Sequence, residues 1–160
     1  MKGEQEIFQK ILNQALKIAS FKAISKNNLI FKLQKKFPVQ QKIIDQVVQK
    51  LIENKILDDQ KLAQFFVESR LNCAPRGKKL LKIELSRQGI ADDLIEQVLQ
   101  KNNIDEEKIA FDLAKVKSKT FSKNLEIQKK KEKLMRFLQS RGFDFAAIYK
   151  VIDEVELSDD

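Results

Sequence analysis

The chain has 160 residues, 42% apolar and 34% charged, with 31 Lys and Arg against 23 Asp and Glu for a formal net charge of +8. It has no histidine and a single cysteine, Cys73, which excludes Cys/His zinc sites, Ser–His–Asp triads, Cys–His dyads and any internal disulfide. With no GxGxxG or GxxxxGK[ST] loop, no apolar run near the ~18 residues that cross a bilayer and an N-terminus (MKGEQEIFQK) too polar for a signal peptide, the expectation is a cytoplasmic non-enzyme without metal or cofactor.

Prolines stand only at 38 and 75, strand-like alternation is absent, and apolar residues recur at helical spacing, so helices are predicted throughout. The first pattern includes QALKIA (14–19) and stops near Ser25. Leu29 and Leu33 then open a segment, LIFKLQKKFPVQQKIIDQVV (29–48), broken at Pro38. A turn at Asp58 precedes Leu62, Ala63, Phe66 and Val67. After Pro75 a helix starting near Arg76 carries Leu81 and Leu85 and stops at Gly89. Ile95, Val98 and Leu99 mark the next, which ends at Asn102–Asn103. Ile109, Ala110, Leu113 and Ala114 follow, then a polar segment at 118–124. Leu134 and Leu138 lead to a stop at Gly142, and Ile148, Val151 and Ile152 mark the last helix. The pairs Asp58–Asp59 and Asp92–Asp93 each precede an apolar-periodic run, where capping and first-turn dipole roles explain them better than acid–base chemistry.

Self-comparison organises these elements. LLKIELSRQGIADDLIEQVL (80–99) aligns with KLMRFLQSRGFDFAAIYKVI (133–152) at a constant offset of 53 residues. That alignment places Leu81, Leu85, Gly89 and Ile90 on Leu134, Leu138, Gly142 and Phe143. Segment 29–48 is a looser copy, lacking the glycine and with a turn two residues longer after Phe37. A period near 50 with three helices per unit predicts an all-α fold of three tandem three-helix, helix-turn-helix-like repeats in an elongated, curved array. The expected divisions are 1–56, 57–103 and 104–157, with an acidic tail at 158–160. Gly89 and Gly142 fall where a left-handed residue ends a helix and the next apolar side chain folds back on the last turn.

Charge is unevenly placed. Residues 115–141 carry ten Lys and Arg against Glu126 and Glu132, and residues 76–88 carry five against Glu84. Such bias points to an anionic partner, nucleic acid first and an acidic protein surface second. At 100° per residue Leu81 and Leu85 share one face, and Lys78, Lys79 and Lys82 form a stripe of about 100° beside it. Pro75 suits the start of that helix. Arg76 and Arg87 share a second strip. In the third repeat Lys129, Lys133 and Arg136 stack at i, i+4 and i+7 opposite Leu134 and Leu138, and Lys32 and Lys36 pair in the first. Lysine predominates over base-reading side chains, so any nucleic-acid contact is expected to be salt-dependent and indifferent to sequence. Phe121, in a polar stretch, is the one aromatic placed for stacking on a base.

The block ILDDQKLAQFFVESR…PRGKKLLKIELSRQGI (56–90) resembles the central signature of RecX, a family of bacterial regulatory proteins that restrain the RecA recombinase. The matching positions are Leu57, Asp58, Asp59, Ala63, Phe66, Val67, Arg70, Gly77, Leu80, Leu81, Glu84, Leu85, Gly89 and Ile90. Residues 133–152 resemble the family's last module. Asn28 stands where the family more often has Glu, and Leu62 where an aromatic is usual. The resemblance implies a regulator of recombination and the SOS response that binds RecA and its filament on single-stranded DNA. Such a protein inhibits ATP hydrolysis, strand exchange and co-protease activity.

Contact with RecA or DNA is then expected at Arg70, Arg76, Lys78, Lys79, Lys82, Arg87, Lys129, Lys133 and Arg136. Arg70 has a competing structural reading, as a partner for Glu84. Structural roles fall to Asp58, Asp59, Phe66, Gly77, Leu81, Leu85, Gly89, Leu134, Leu138 and Gly142, with both aspartates capping the helix they precede. A monomer is expected, with direct DNA contact left open. Two alternatives stay beside this reading. One is a sequence-independent DNA-binding protein or helix-turn-helix-like repressor acting without RecA; the other is an adaptor whose lysines are only a solvated face.

Overall fold

Short polar side chains begin several of the helices of this chain. In the computed structural model, which describes residues 2–155 and 157, the Ser25 hydroxyl accepts the Asn28 N–H at 3.2 Å. Asp58, Asp105 and Asp144 likewise accept the N–H three residues on, at 2.9, 3.1 and 2.8 Å. Each satisfies one of the donors that a helix start leaves open. Among the described residues the chain is nine α-helices without a strand, and none is long and apolar enough to cross a membrane.

The helices follow the repeat. The first set is α1 (Lys2–Phe21), α2 (Lys26–Lys36) and α3 (Gln41–Glu53), packed on one another around Ile11, Ala15, Leu29, Leu33, Ile44, Val47 and Leu51. The second is α4 (Asp59–Cys73), α5 (Lys78–Arg87) and α6 (Asp92–Lys101). The third is α7 (Glu106–Ser118), α8 (Ile127–Ser140) and α9 (Phe145–Glu154), around Ala110, Ala114, Leu134, Leu138, Ile148 and Val151. The repeated leucine pair, Leu29 and Leu33, Leu81 and Leu85, Leu134 and Leu138, is fully buried on α2, α5 and α8 alike. Phe66, expected in the core, is only half-buried.

Both predicted glycine stops are present. Gly89 and Gly142 have φ of +78° and +80°. The following N–H of Ile90 reaches back to Leu85 O at 3.2 Å, and that of Phe143 to Leu138 O at 3.3 Å. The glycine N–H groups bond to Ser86 O and Gln139 O, completing the two-bond helix ending. A further left-handed ending was not legible in the sequence. Lys55 has φ +56°, its N–H bonds to Ile52 O, and Ile56 N–H bonds to Leu51 O. A side chain there carries a steric cost that glycine avoids. Lys55→Gly is therefore expected to raise the unfolding free energy by about 1 kcal/mol, read from the shift in a urea midpoint.

Two compact units make up the chain: residues up to 66 together with 85–98, and 67–84 together with those from 99 onward. The second repeat is thus divided between them. Each unit contains the same joint, in which the C-terminal turn of one middle helix meets the N-terminus of the preceding one. In the first unit the Asn28 and Asn27 side-chain amides donate to Gln88 O and Gly89 O at 2.8 and 2.9 Å. In the second, Gly77 N–H donates to Arg141 O at 2.8 Å. In the first, side-chain amides at a helix start satisfy the open carbonyls of a helix end, and in the second a backbone N–H does so.

A carboxylate completes each joint and corrects one expectation. Asp58 caps its own helix, but Asp59 does not: it reaches back to accept the Lys26 N–H at the start of α2, at 2.8 Å. Glu106 does the same for Lys78 N–H at the start of α5, at 2.8 Å. One acid of each pair therefore serves its own helix and the other serves the repeat before. Pro75 is also displaced from its expected place, since α5 begins at Lys78, so Pro75 and Arg76 lie in the preceding loop.

Burial lifts the Asp59 carboxyl above its ordinary value, a rise opposed by the hydrogen bond and charge at Lys26 and reinforced by Asp58. The folded chain then holds this proton more tightly than the unfolded one. The group favours folding at pH below the ordinary carboxylate value and loses that contribution as pH rises through its raised pKa. Asp59→Asn, which keeps an acceptor for Lys26, should gain stability relative to the native chain as pH rises across the carboxylate range. A difference in urea midpoints that stays flat over that range contradicts this account.

Candidate functional site

On α5 the apolar and cationic edges separate as the helical spacing requires. Leu81 and Leu85 are fully buried, while Lys79, Lys82 and Arg87 are exposed and Lys78 is half-buried. Lys78 contributes its backbone N–H to the joint with Glu106, which fixes the first turn and hence the direction of the lysines that follow.

The arginines expected beside them are otherwise engaged. Arg70 Nε donates to Glu84 Oε2 at 2.9 Å, and Arg76 Nε lies 3.1 Å from Glu84 Oε1. The second contact is one of charge, because Arg76 Nε is buried and its N–H is not aligned for a hydrogen bond. Glu84 is thus the centre of a three-residue ion cluster on α4, α5 and the loop between them. Its side chain is 17% exposed, against 35% for Arg70 and 21% for Arg76, so desolvation ties these charges to one another more than to solvent. Because Arg76 precedes the helix, it shares no strip of α5 with Arg87.

On α8 Lys129, Lys133 and Arg136 are all exposed, opposite the buried leucines. Lys129 lies 3.4 Å from Glu126 and Arg136 3.7 Å from Glu132, both solvated pairs of the kind that contribute well under about 1 kcal/mol. Lys133 and Lys117 both approach the Phe121 ring, at 6.0 and 5.9 Å from its centroid. Phe121 is half-buried and packs against the core of the third set.

The second unit also carries a surface that charge and periodicity did not reveal. A cleft of about 340 Å³ is bounded by Lys79, Leu80 and Ile83 of α5, by Ser140 at the end of α8, and by Phe143 and Phe145 beyond it. Ile83 and Phe145 are 40% and 59% exposed, and the Phe145 ring stacks on Tyr149 at 6.4 Å. This cleft brings an ammonium and apolar side chains together, a combination suited to a protein surface. The signal for it in the sequence was Ile83 and Phe145 standing off the repeated leucine face, which becomes meaningful only once the joint at Gly77 and Gly142 places α5 beside the end of α8.

Residues 58–99 match the second three-helix domain of RecX and residues 105–152 its third three-helix domain. The regulatory protein RecX of Leuconostoc mesenteroides is 35% identical over 123 residues, covering 76% of this chain. That of Chlorobium phaeobacteroides is 30% identical over 147 residues, covering 92% of this chain and 94% of the relative. Against the longer relatives from Leuconostoc and Streptococcus agalactiae the chain spans about half their length, 46% and 56%. The crystal structure of RecX from Lactobacillus salivarius shares the fold, with a TM-score of 0.82 over 99% of this chain and 100% of that one at 24% identity. On the strength of its three-helix domains and of these relatives, the chain belongs to the RecX family of regulatory proteins.

Proposed function

We propose that this chain is a non-enzymatic, cytoplasmic regulator of homologous recombination and of the SOS response. It binds RecA and the RecA filament on single-stranded DNA, and it lowers ATP hydrolysis, strand exchange and co-protease activity. Membership of the RecX family carries this reading. The divisions 1–56, 57–103 and 104–157 are proposed as its three modules; the acidic segment 158–160 lies outside the described residues. Several modules acting together supply avidity through weak contacts, without a deep pocket.

The contact surface is proposed to centre on α5, where exposed Lys79 lines an apolar cleft and Lys82 is exposed on the same helix. Lys78, Arg87, Lys129, Lys133 and Arg136 extend its charge. Arg70 and Arg76 act indirectly, by holding Glu84 on α5. The protein is expected to act as a monomer.

The test is ATP hydrolysis by RecA on single-stranded DNA. Added protein is expected to slow it at near-stoichiometric amounts. The triple charge reversal Lys78→Glu, Lys79→Glu, Lys82→Glu should weaken that inhibition by roughly tenfold or more, with helicity retained. An unchanged rate with folded native protein defeats the proposal, and full-strength inhibition by the variant removes α5 as the contact. Tight duplex binding with no effect on RecA favours the DNA-binding alternative, which the lysine surplus of residues 115–141 would then explain.

A further inference from the structure

We propose that the third repeat holds a nucleotide-binding cleft, distinct from the α5 surface and independent of RecA. A cavity of about 550 Å³ opens between the end of α7, the 119–126 loop, α8 and the end of α9. Among the described residues four lysines line it, Lys115, Lys119, Lys123 and Lys130, with one carboxylate, that of Glu154. Lys115 and Lys119 lie one turn apart at the end of α7, where a cation also suits the helix dipole. That reading does not reach Lys123 in the loop or Lys130 on α8. Lys130 is 5% exposed and is engaged within the chain, so the exposed Lys115, Lys119 and Lys123 are the cations that a ligand would meet.

The walls define the ligand. Lysines converge as point charges suited to phosphate rather than as forks for a planar carboxylate. Phe111 and Phe121 supply apolar surface on the same cavity, and Lys117 and Lys133 approach the Phe121 ring. Glu154 can accept hydrogen bonds from sugar hydroxyls or an exocyclic amine. Phosphate, ring and hydroxyl needs are met together by a nucleoside phosphate. The volume lies within the range of small-ligand pockets, enough for one nucleotide and too small for a duplex. That nucleotide is either free or a residue of a single strand.

Calorimetric titration of the full chain at low salt tests this, with ADP, a 5′-phosphorylated oligothymidylate and inorganic pyrophosphate as probes. Saturable binding of ADP or the oligomer is expected, and the tighter of the two identifies the source. The variant Lys115→Ala, Lys119→Ala, Lys123→Ala should weaken it by roughly tenfold or more while melting like the native chain, since all three lysines are exposed. Phe121→Leu should weaken ADP and leave pyrophosphate unchanged. Lys79→Ala with Lys82→Ala should leave every probe unchanged. Binding of neither nucleotide overturns the proposal. So does pyrophosphate binding as tightly as ADP, or equal losses in the α5 and cleft variants, which would mark diffuse attraction to positive charge.

Discussion

Replacing Gly142 by alanine is expected to lower the unfolding free energy by about 3 kcal/mol or more. Two costs add. The residue is left-handed, with φ +80°, a conformation that costs an ordinary side chain about 1–2 kcal/mol. A Cβ there would also stand 2.3 Å from the Leu80 Cβ and 2.6 Å from its backbone nitrogen. That second neighbour cannot swing aside, because it belongs to the first turn of α5. The joint is tight from its other side too, since a Cβ on Gly77 would fall 2.2 Å from Gly142 O. Chemical denaturation followed by circular dichroism measures the loss. A change below about 1 kcal/mol would mean that the joint yields, and that the glycine serves only as a helix ending. Gly89 is the milder counterpart. Its nearest neighbours are the Ser25 hydroxyl at 2.6 Å and the Asn28 side chain at 2.9 Å, which can give way at the cost of their hydrogen bonds.

Leu85→Ala is expected to cost about 2–5 kcal/mol. Leu85 is fully buried and occupies the repeated position shared by Leu33 and Leu138. Truncation removes apolar contact and leaves a void that a close-packed interior fills only in part. Its backbone carbonyl still accepts the Ile90 N–H, so the helix ending survives and the loss reports packing alone. The lysine charge reversals on the same helix offer the contrast: they should impair regulation of RecA while barely moving the urea midpoint, because exposed lysines contribute little to folding. If Leu85→Ala were as stable as the native chain, the assignment of the leucine pair to the core would fail.

How much was readable beforehand depends on the range of the interaction concerned. The positions of the helices, the leucine pairs and both glycine endings followed from spacing within single segments and from the 53-residue self-similarity. Asp58 was read correctly for the same reason, since it caps a donor three residues away. Asp59 was not, because its partner lies 33 residues earlier on another helix. Asp59 stands three residues before Leu62 as Glu106 stands three before Ile109, yet nothing local shows that both reach backward. The cationic stripe of α5 was legible as an exposed edge. That Arg70 and Arg76 would converge on Glu84 depended on the loop that holds Arg76 outside the helix.

The amino-acid sequence by itself determined the helical class, the threefold repetition and the buried face of each middle helix, because helix period and left-handed turns are set by neighbours within about one turn. Only the tertiary structure decided which acids cap which helices, which cations are neutralised, and which lysines gather around the third repeat's cleft. Those outcomes depend on the meeting of groups tens of residues apart, and packing geometry, rather than periodicity, brings them within hydrogen-bonding reach.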